Sequence, residues 1–155
     1  LIKDYDKMHD LNYTIIQLGS VFGPGAKQSN LINRFIYEGY VKNKLEHFGT
    51  GDEIRQYIFI YDVVDALIEC IDKKYNKRKV ILLGDESISI SKLMDQIISF
   101  IGGDIKKVFK MKDYNIHYRL SPFDIDPDDA ILFNFNSPTN LKEGLKKTVN
   151  SMKVK

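Results

Sequence analysis

The sequence has 155 residues, 43% of them hydrophobic and 28% charged, a balance that supports a packed core and excludes a disordered chain. Twenty-three Lys and Arg stand against 21 Asp and Glu, a net charge of +2 without a basic block, so neither nucleic acid nor an anionic membrane is expected as a partner. A single cysteine, Cys70, excludes an internal disulfide framework and fits a reducing, cytoplasmic compartment; no signal-peptide pattern is present, and no apolar run approaches the roughly 20 residues that span a bilayer.

Leu1, Ile2, Tyr5 and Met8 recur at helical spacing, and Asn12 is expected to close this first helix. No Ser, Thr, Asp or Asn precedes Leu1 to cap it, so the helix reads as one that continues from upstream. Tyr13 to Leu18 reads as a buried, β-branched strand running into the glycine-rich turn Gly19-Ser20-Val21-Phe22-Gly23-Pro24-Gly25. In α/β sheets, ligands sit at such turns beyond the carboxyl ends of strands. A helix over Asn30 to about Tyr40, with Leu31, Ile32, Phe35 and Ile36 on one side, leads to a short strand, Lys44 to Phe48, and the turn Gly49-Thr50-Gly51-Asp52.

Tyr57 to Tyr61 reads as an aromatic, β-branched strand, and Asp62 is the expected N-cap of a helix burying Val63, Val64, Leu67, Ile68, Cys70 and Ile71. Lys79 to Leu83 is a strand ending at Gly84. Ser89 or Ser91 caps a helix carrying Leu93, Met94, Ile97, Ile98 and Ile101, which Gly102-Gly103 stops. Ile105 to Met111 reads as a short strand, and Lys112 to Asn136 as one long loop containing Ser121-Pro122-Phe123-Asp124, of a length that is usually functional. A last helix, starting near Ser137-Pro138-Thr139, buries Leu141, Leu145, Val149 and Met152. Helices separating several strands imply crossover connections and a mostly parallel sheet, with too few strands for a self-sufficient Rossmann half.

Several chemistries lack their motif. No Gly-x-Gly-x-x-Gly follows a strand and opens a helix, as dinucleotide binding requires, and the two Tyr-x-x-x-Lys spacings, Tyr40 to Lys44 and Tyr75 to Lys79, each end at the start of an expected strand rather than on one helix face. The acidic run Asp124, Asp126, Asp128, Asp129 places Asp129 and Phe135 where a calcium loop of that type wants Gly and Glu, so it reads as a solvated loop. His9, His47 and His117 share no ligand spacing and read as surface or packed residues. One cluster stands out: Arg55 sits behind Gly49-Thr50-Gly51 and just before a strand. A guanidinium there serves either to clamp a diphosphate bidentately or to pair with Asp52, Glu53 or Asp62, and the residues leave both roles open.

With those strings in order, the chain resembles the NAD-dependent epimerases and dehydratases of the extended short-chain dehydrogenase/reductase class. Gln17-Leu18-Gly19-Ser20-Val21-Phe22-Gly23-Pro24-Gly25 is similar to the family's Arg-x-x-Asn-Val-Tyr-Gly-Pro-Gly, and Ser29-Asn30-Leu31-Ile32 to the helix start that holds the nucleotide's diphosphate. Phe48-Gly49-Thr50-Gly51, Arg55 and Phe59 to Ala66 resemble Phe-Gly-x-Gly-x-x-x-Arg-x-Phe-x-x-Val-x-Asp, and Ser137-Pro138 through Thr148 the C-terminal helix signature. The likeness runs from about Tyr13 to Val149 and is least between Lys106 and Asn136.

The resemblance implies an α/β fold: the last strands of an incomplete Rossmann-type parallel sheet plus a small C-terminal substrate-binding subdomain. Residues 1–155 would be the substrate-binding part, with the dinucleotide-binding part, the glycine fingerprint and the Tyr-x-x-x-Lys set upstream of Leu1. Arg55 would bind the substrate's diphosphate, with Asn30 and Leu31 at the same phosphates. Glu46 and Phe48 would line the base pocket, largely by backbone, and Arg119 would be a second phosphate ligand. Leu18, Gly19 and Ser20 would lie near the nicotinamide end of NAD or NADP, with Ser20 also reaching substrate. No catalytic residue is expected within the chain. Gln17 and Ser20 depart from the family's Arg and Asn, and a hydroxyl has less reach than an amide, which leaves the sugar open. The implied partner is a nucleotide sugar and the implied parent a homodimeric epimerase, dehydratase or related oxidoreductase. The alternative is a non-catalytic binding or interaction module.

Overall fold

The computed structural model describes residues 1–110 and 130–153. Arg119, the Ser121–Asp124 stretch and the acidic run ending at Asp129 lie outside the described residues.

The first helix, α1 (Ile2–His9), ends when Asp10 turns into the left-handed region at φ 48 and donates its N–H to Asp6. Asp10, rather than Asn12, therefore closes it. Strand β1 (Thr14–Leu18) follows as expected, but the glycine-rich turn contains a short strand of its own, β2 (Ser20–Phe22). Helix α2 (Leu31–Lys42) starts behind Asn30, whose side chain accepts from the Asn33 N–H, and leads to β3 (Lys44–Phe48).

Strand β4 (Ile54–Phe59) starts earlier than the sequence suggests, and α3 (Ile60–Glu69) begins at Ile60 with Phe59 as its N-cap and no side-chain cap. Asp62 is thus not the cap. It lies in the first turn, where a carboxylate favours the helix dipole, and accepts the Thr139 N–H at 2.9 Å and hydroxyl at 2.8 Å. A 3₁₀ turn at Lys73–Tyr75 precedes β5 (Arg78–Leu82) and the unanticipated β6 (Ser87–Ser89). Of the two candidate serines, Ser89 caps α4 (Ile90–Ile101). Beyond β7 (Lys106–Lys110), the stretch read as loop contains β8 (Ala130–Leu132), and α5 (Leu141–Met152) starts one turn later than expected, behind Asn140.

Three small sheets result. Strands β1, β5 and β8 form a parallel sheet in that order, with Thr14 opposite Arg78 and Leu18 opposite Leu82. Strand β4 pairs β2 in parallel and β6 antiparallel, while β3 pairs β7 in parallel. Parallel neighbours need long crossovers, here carrying α2, α3 and α4. The larger core gathers Phe22, Phe35, Phe59, Leu93, Ile97, Leu145 and Val149 from β2, β4 and the helices α2, α4 and α5. A second cluster, around Ile58, Val63, Ala66, Val80 and Leu82, seats α3 on β5. Gly84 fits where the chain leaves β5 because an added Cβ would lie 2.0 Å from the Tyr57 carbonyl oxygen.

The apolar arc of α3 is wider than its seat. Val63 and Ala66 are buried, but Val64, Leu67, Ile68 and Ile71 are exposed, Ile71 by 81%. Of the six residues expected to be buried, only Val63 and Cys70 are, and four face outward, Ile71 from just beyond the helix end. No residue of α1 is buried either, and Leu1, Ile2, Tyr5 and Met8 all face solvent.

Candidate functional site

The carboxyl end of β3, the start of β4 and the first turns of α2 and α4 surround a cavity of about 260 Å³ lined by Leu31, Arg34, His47, Phe48, Arg55 and Ile90. Among the described residues, no carboxylate is on that wall. Three residues singled out by sequence meet here: Leu31, Phe48 and Arg55.

A short rigid turn, built around Glu53, presents Arg55. The Glu53 carboxylate is buried and accepts the Thr50 N–H at 2.9 Å, the Gly51 N–H at 2.9 Å and His47 Nε2 at 3.2 Å. Burial pushes this carboxyl up, but the N–H groups of Glu53 and Thr50, the nearby His47 and the Gly51 N–H outweigh it and leave it below its ordinary range. Gly51 takes φ +88 under the ring of Phe109, which a Cβ would strike at 2.4 Å. Only glycine tolerates both the backbone and the contact.

Arg55 itself makes no ion pair among the described residues. Its Nη1 donates to the Ile54 carbonyl at 2.7 Å. Glu53 is committed to the turn and Asp62 to Thr139, so two of the three proposed acidic partners are engaged elsewhere. Asp52 forms no salt bridge with it either, so none of the three candidate acids pairs with this guanidinium.

Asn30 is placed differently. Its Oδ1 caps α2 and its Nδ2 donates to the Val21 carbonyl at 2.8 Å, so its side chain ties β2 to α2. The Leu31 N–H lies in the first helical turn, where main-chain donors lack an intrahelical acceptor. Glu46 stands beside the cavity rather than in it. Lys110 at 2.8 Å and Lys44 at 2.5 Å hold its carboxyl down to about 2. Its N–H donates to Glu38 Oε2 at 3.1 Å, and its C=O accepts from Arg34 Nη2 at 3.4 Å. Of the main-chain groups expected to meet a base, those of Glu46 are therefore engaged by α2 side chains.

Leu18, Gly19 and Ser20 lie at the end of β1 and start of β2 and do not line this cavity. Leu18 is exposed, and Gly19 donates its N–H to Leu82 at 2.8 Å. Arg34, His47 and Ile90 are cavity residues that the sequence reading missed as a group. For Arg34 there was one usable signal: it follows Leu31 by three residues and so shares its helix face. Among the described residues, no group of three His, Cys, Asp or Glu side chains could hold a metal ion, and no helix is long and apolar enough to cross a membrane.

A mixed α/β chain with mostly parallel strands and helical crossovers is of Rossmann-like type. The chain belongs to the NAD dependent epimerase/dehydratase family, whose family model matches residues 1–84. It is 28% identical over 149 residues to a UDP-glucuronate 4-epimerase of Thermodesulfobacterium geofontis, covering 94% of this chain and 45% of the relative. A putative UDP-glucose 4-epimerase of Methanocaldococcus jannaschii is 26% identical over 98% of this chain and 49% of its own. The fold is similar to that of UDP-glucose 4-epimerase from Thermotoga maritima, solved with UDP-glucose, at a TM-score of 0.79 and 20% identity over 97% of this chain and 48% of that one. A UDP-N-acetylglucosamine 4-epimerase from Methanobrevibacter ruminantium, in complex with UDP-N-acetylmuramic acid, gives 0.79 at 21% identity, over 97% and 49%. The chain thus spans about half the length of the relatives it matches.

Proposed function

We propose that these residues form the substrate-binding part of an NAD(P)-dependent nucleotide-sugar epimerase or dehydratase, and that they hold the nucleoside diphosphate end of the substrate. The observation that carries this reading is Arg55: a guanidinium without an ion pair among the described residues, on the wall of a cavity whose described lining has no carboxylate, held by a turn that Glu53 fixes. Such a group is poised for a charge-assisted fork to phosphate oxygens. Leu31 and Phe48 add an apolar and an aromatic surface to the same wall. The relatives named for UDP-sugar epimerases support a nucleoside diphosphate as the anion.

Leu18, Gly19 and Ser20 fit a cofactor only as one wall, since they present the exposed end of a strand. Bound NAD(P) supplies hydride acceptance and return at a sugar carbon. The role of this chain is to fix the sugar's nucleotide anchor, so that the reacting carbon is positioned by binding at a distance. The protein would act in the cytoplasm as a homodimer.

The test is calorimetric titration of the full-length protein with UDP-glucose, UDP and glucose. UDP should retain most of the affinity of UDP-glucose, with glucose alone binding negligibly. Glucose binding as tightly as UDP-glucose, with UDP inert, would overturn the reading.

A further inference from the structure

Arg34 has no role in the family resemblance and no acidic partner among the described ion pairs, yet it shares the wall of the cavity with Arg55. Its one hydrogen bond, from Nη2 to the Glu46 carbonyl, is 3.4 Å long, beyond the usual range for a strong N–H···O contact. Its Nε is buried and has no partner. A guanidinium carries five donors and no acceptor, and among the described residues nearly all of this one's capacity is unused. The stem is held in place, with the guanidinium carbon 5.6 Å from the ring centroid of Phe35.

Two guanidiniums on one small wall repel each other, and no acidic side chain is among the described lining residues, the others being Leu31, His47, Phe48 and Ile90, with the His47 imidazole facing Glu53. A buried charged donor left unpaired is costly, and more so in a medium less polarisable than water. Both features are relieved by one event, the entry of an anion with several acceptor oxygens. Leu31 begins α2 and Arg34 lies one turn further along it, while Arg55 comes from β4, so such an anion would be gripped from two independent elements.

We infer that Arg34 is a second phosphate-binding residue of the same site, clamping the ligand's diphosphate together with Arg55. This rests on the proposed nucleotide reading and adds a contact that lies within the described residues, whereas the phosphate arginine expected from resemblance, Arg119, does not. In this arrangement the Glu46 carbonyl serves as a holding contact that Arg34 gives up, in whole or part, when phosphate oxygens arrive.

The experiment compares the full-length protein with its Arg34→Met, Arg34→Lys and Arg55→Ala variants, using calorimetry with UDP and ligand-observed NMR with uridine. Arg34→Met keeps the apolar stem over Phe35 and removes only the charge and donors. Its UDP affinity should fall about 10-fold or more, the scale of a hydrogen bond to a charged group, with uridine affinity unchanged; Arg34→Lys should recover part of the loss. Unchanged UDP affinity in Arg34→Met, with affinity lost in Arg55→Ala, overturns this inference and leaves the nucleotide reading standing. Equal weakening of UDP and uridine also overturns it, because Arg34 would then act on the nucleoside or on packing. Failure of UDP to bind the unsubstituted protein overturns both.

Discussion

Replacing Arg55 by alanine separates the two roles that the sequence left open. In the folded chain this side chain makes one hydrogen bond, to the carbonyl of its own neighbour Ile54, and no ion pair among the described residues. Removing it therefore breaks no long-range hydrogen bond or ion pair among the described residues, and the stability change should stay within about 0.5 kcal/mol, as for substitutions away from packed or networked sites. Ligand affinity should behave differently. A hydrogen bond to a charged oxygen contributes about 1.5–3 kcal/mol, so Arg55→Ala should weaken UDP binding by roughly 10- to 150-fold. Arg55→Lys should recover only part, since an ammonium cannot bond two oxygens in a fork. Calorimetric titration with UDP, run beside thermal melts of each variant, reads both quantities. Unchanged affinity together with a lowered melting temperature would refute the reasoning and return Arg55 to a structural role.

Other outcomes follow from the neighbouring geometry. Glu53→Ala should destabilise the chain by about 2–5 kcal/mol, because the Thr50 and Gly51 N–H groups and the His47 ring lose their acceptor together; denaturant unfolding within about 0.5 kcal/mol of the unsubstituted chain would contradict the turn's assigned support. Glu46 has a folded-state pKa of about 2 against an ordinary 4.5, through hydrogen bonds from Lys110 and then Lys44. Its contribution is thus fully present above pH 4.5 and lost as pH falls toward 2. The melting-temperature gap between the unsubstituted chain and Glu46→Gln should be widest near neutrality and close on acidification; a gap that grows in acid would reverse the sign. The outward arc of α3 predicts self-association of these 155 residues expressed alone. Ile68→Lys with Ile71→Glu should lower light scattering, and unaltered scattering would show that this face is not the sticking surface.

How much of this was legible depends on whether a feature is local. Helices α2, α4 and α5 announce themselves through period, with Leu141, Leu145 and Val149 buried at helical spacing, and α4 also through its Ser89 cap, whereas the Asn140 cap of α5 lies beyond the expected start near Ser137. Strands β1 and β5 were legible for a similar reason, since β-branched runs flanked by Gly or Asn suit a strand whatever its partner. The start of α3 was not. Ile60 and Tyr61 read as the end of an aromatic strand, and Asp62 is a favoured cap type, but the helix begins at Ile60 and Asp62 instead receives both donors of Thr139, 77 residues away. Tertiary pairing overrode local preference there. The three-residue strands β2, β6 and β8 exist only through partners: Ser20 opposite Tyr57, Ser89 opposite Ile54, Ala130 opposite Lys79. No window around Ser20 or Ala130 contains that information.

The site divides along the same line. Arg55 was visible because its glycine turn precedes it in sequence, and a turn is a local object. Its Glu53 support was half visible: the carboxylate was a candidate partner for Arg55, and it proved to be the acceptor that shapes the turn holding Arg55. Arg34 offered only its helix-face spacing from Leu31, because its significance comes from where α2 lies against β3 and β4, which brings it to the Glu46 carbonyl twelve residues on and to the same wall as Arg55. The expected base contacts at Glu46 fail to appear in open form for the same reason, as Glu38 and Arg34 reach that main chain from the helix. A motif records which residue types a ligand needs along the chain. The charge balance of a cavity is set by residues that meet only after the helices and sheets have packed, and here that balance places a second guanidinium beside the one the motif names.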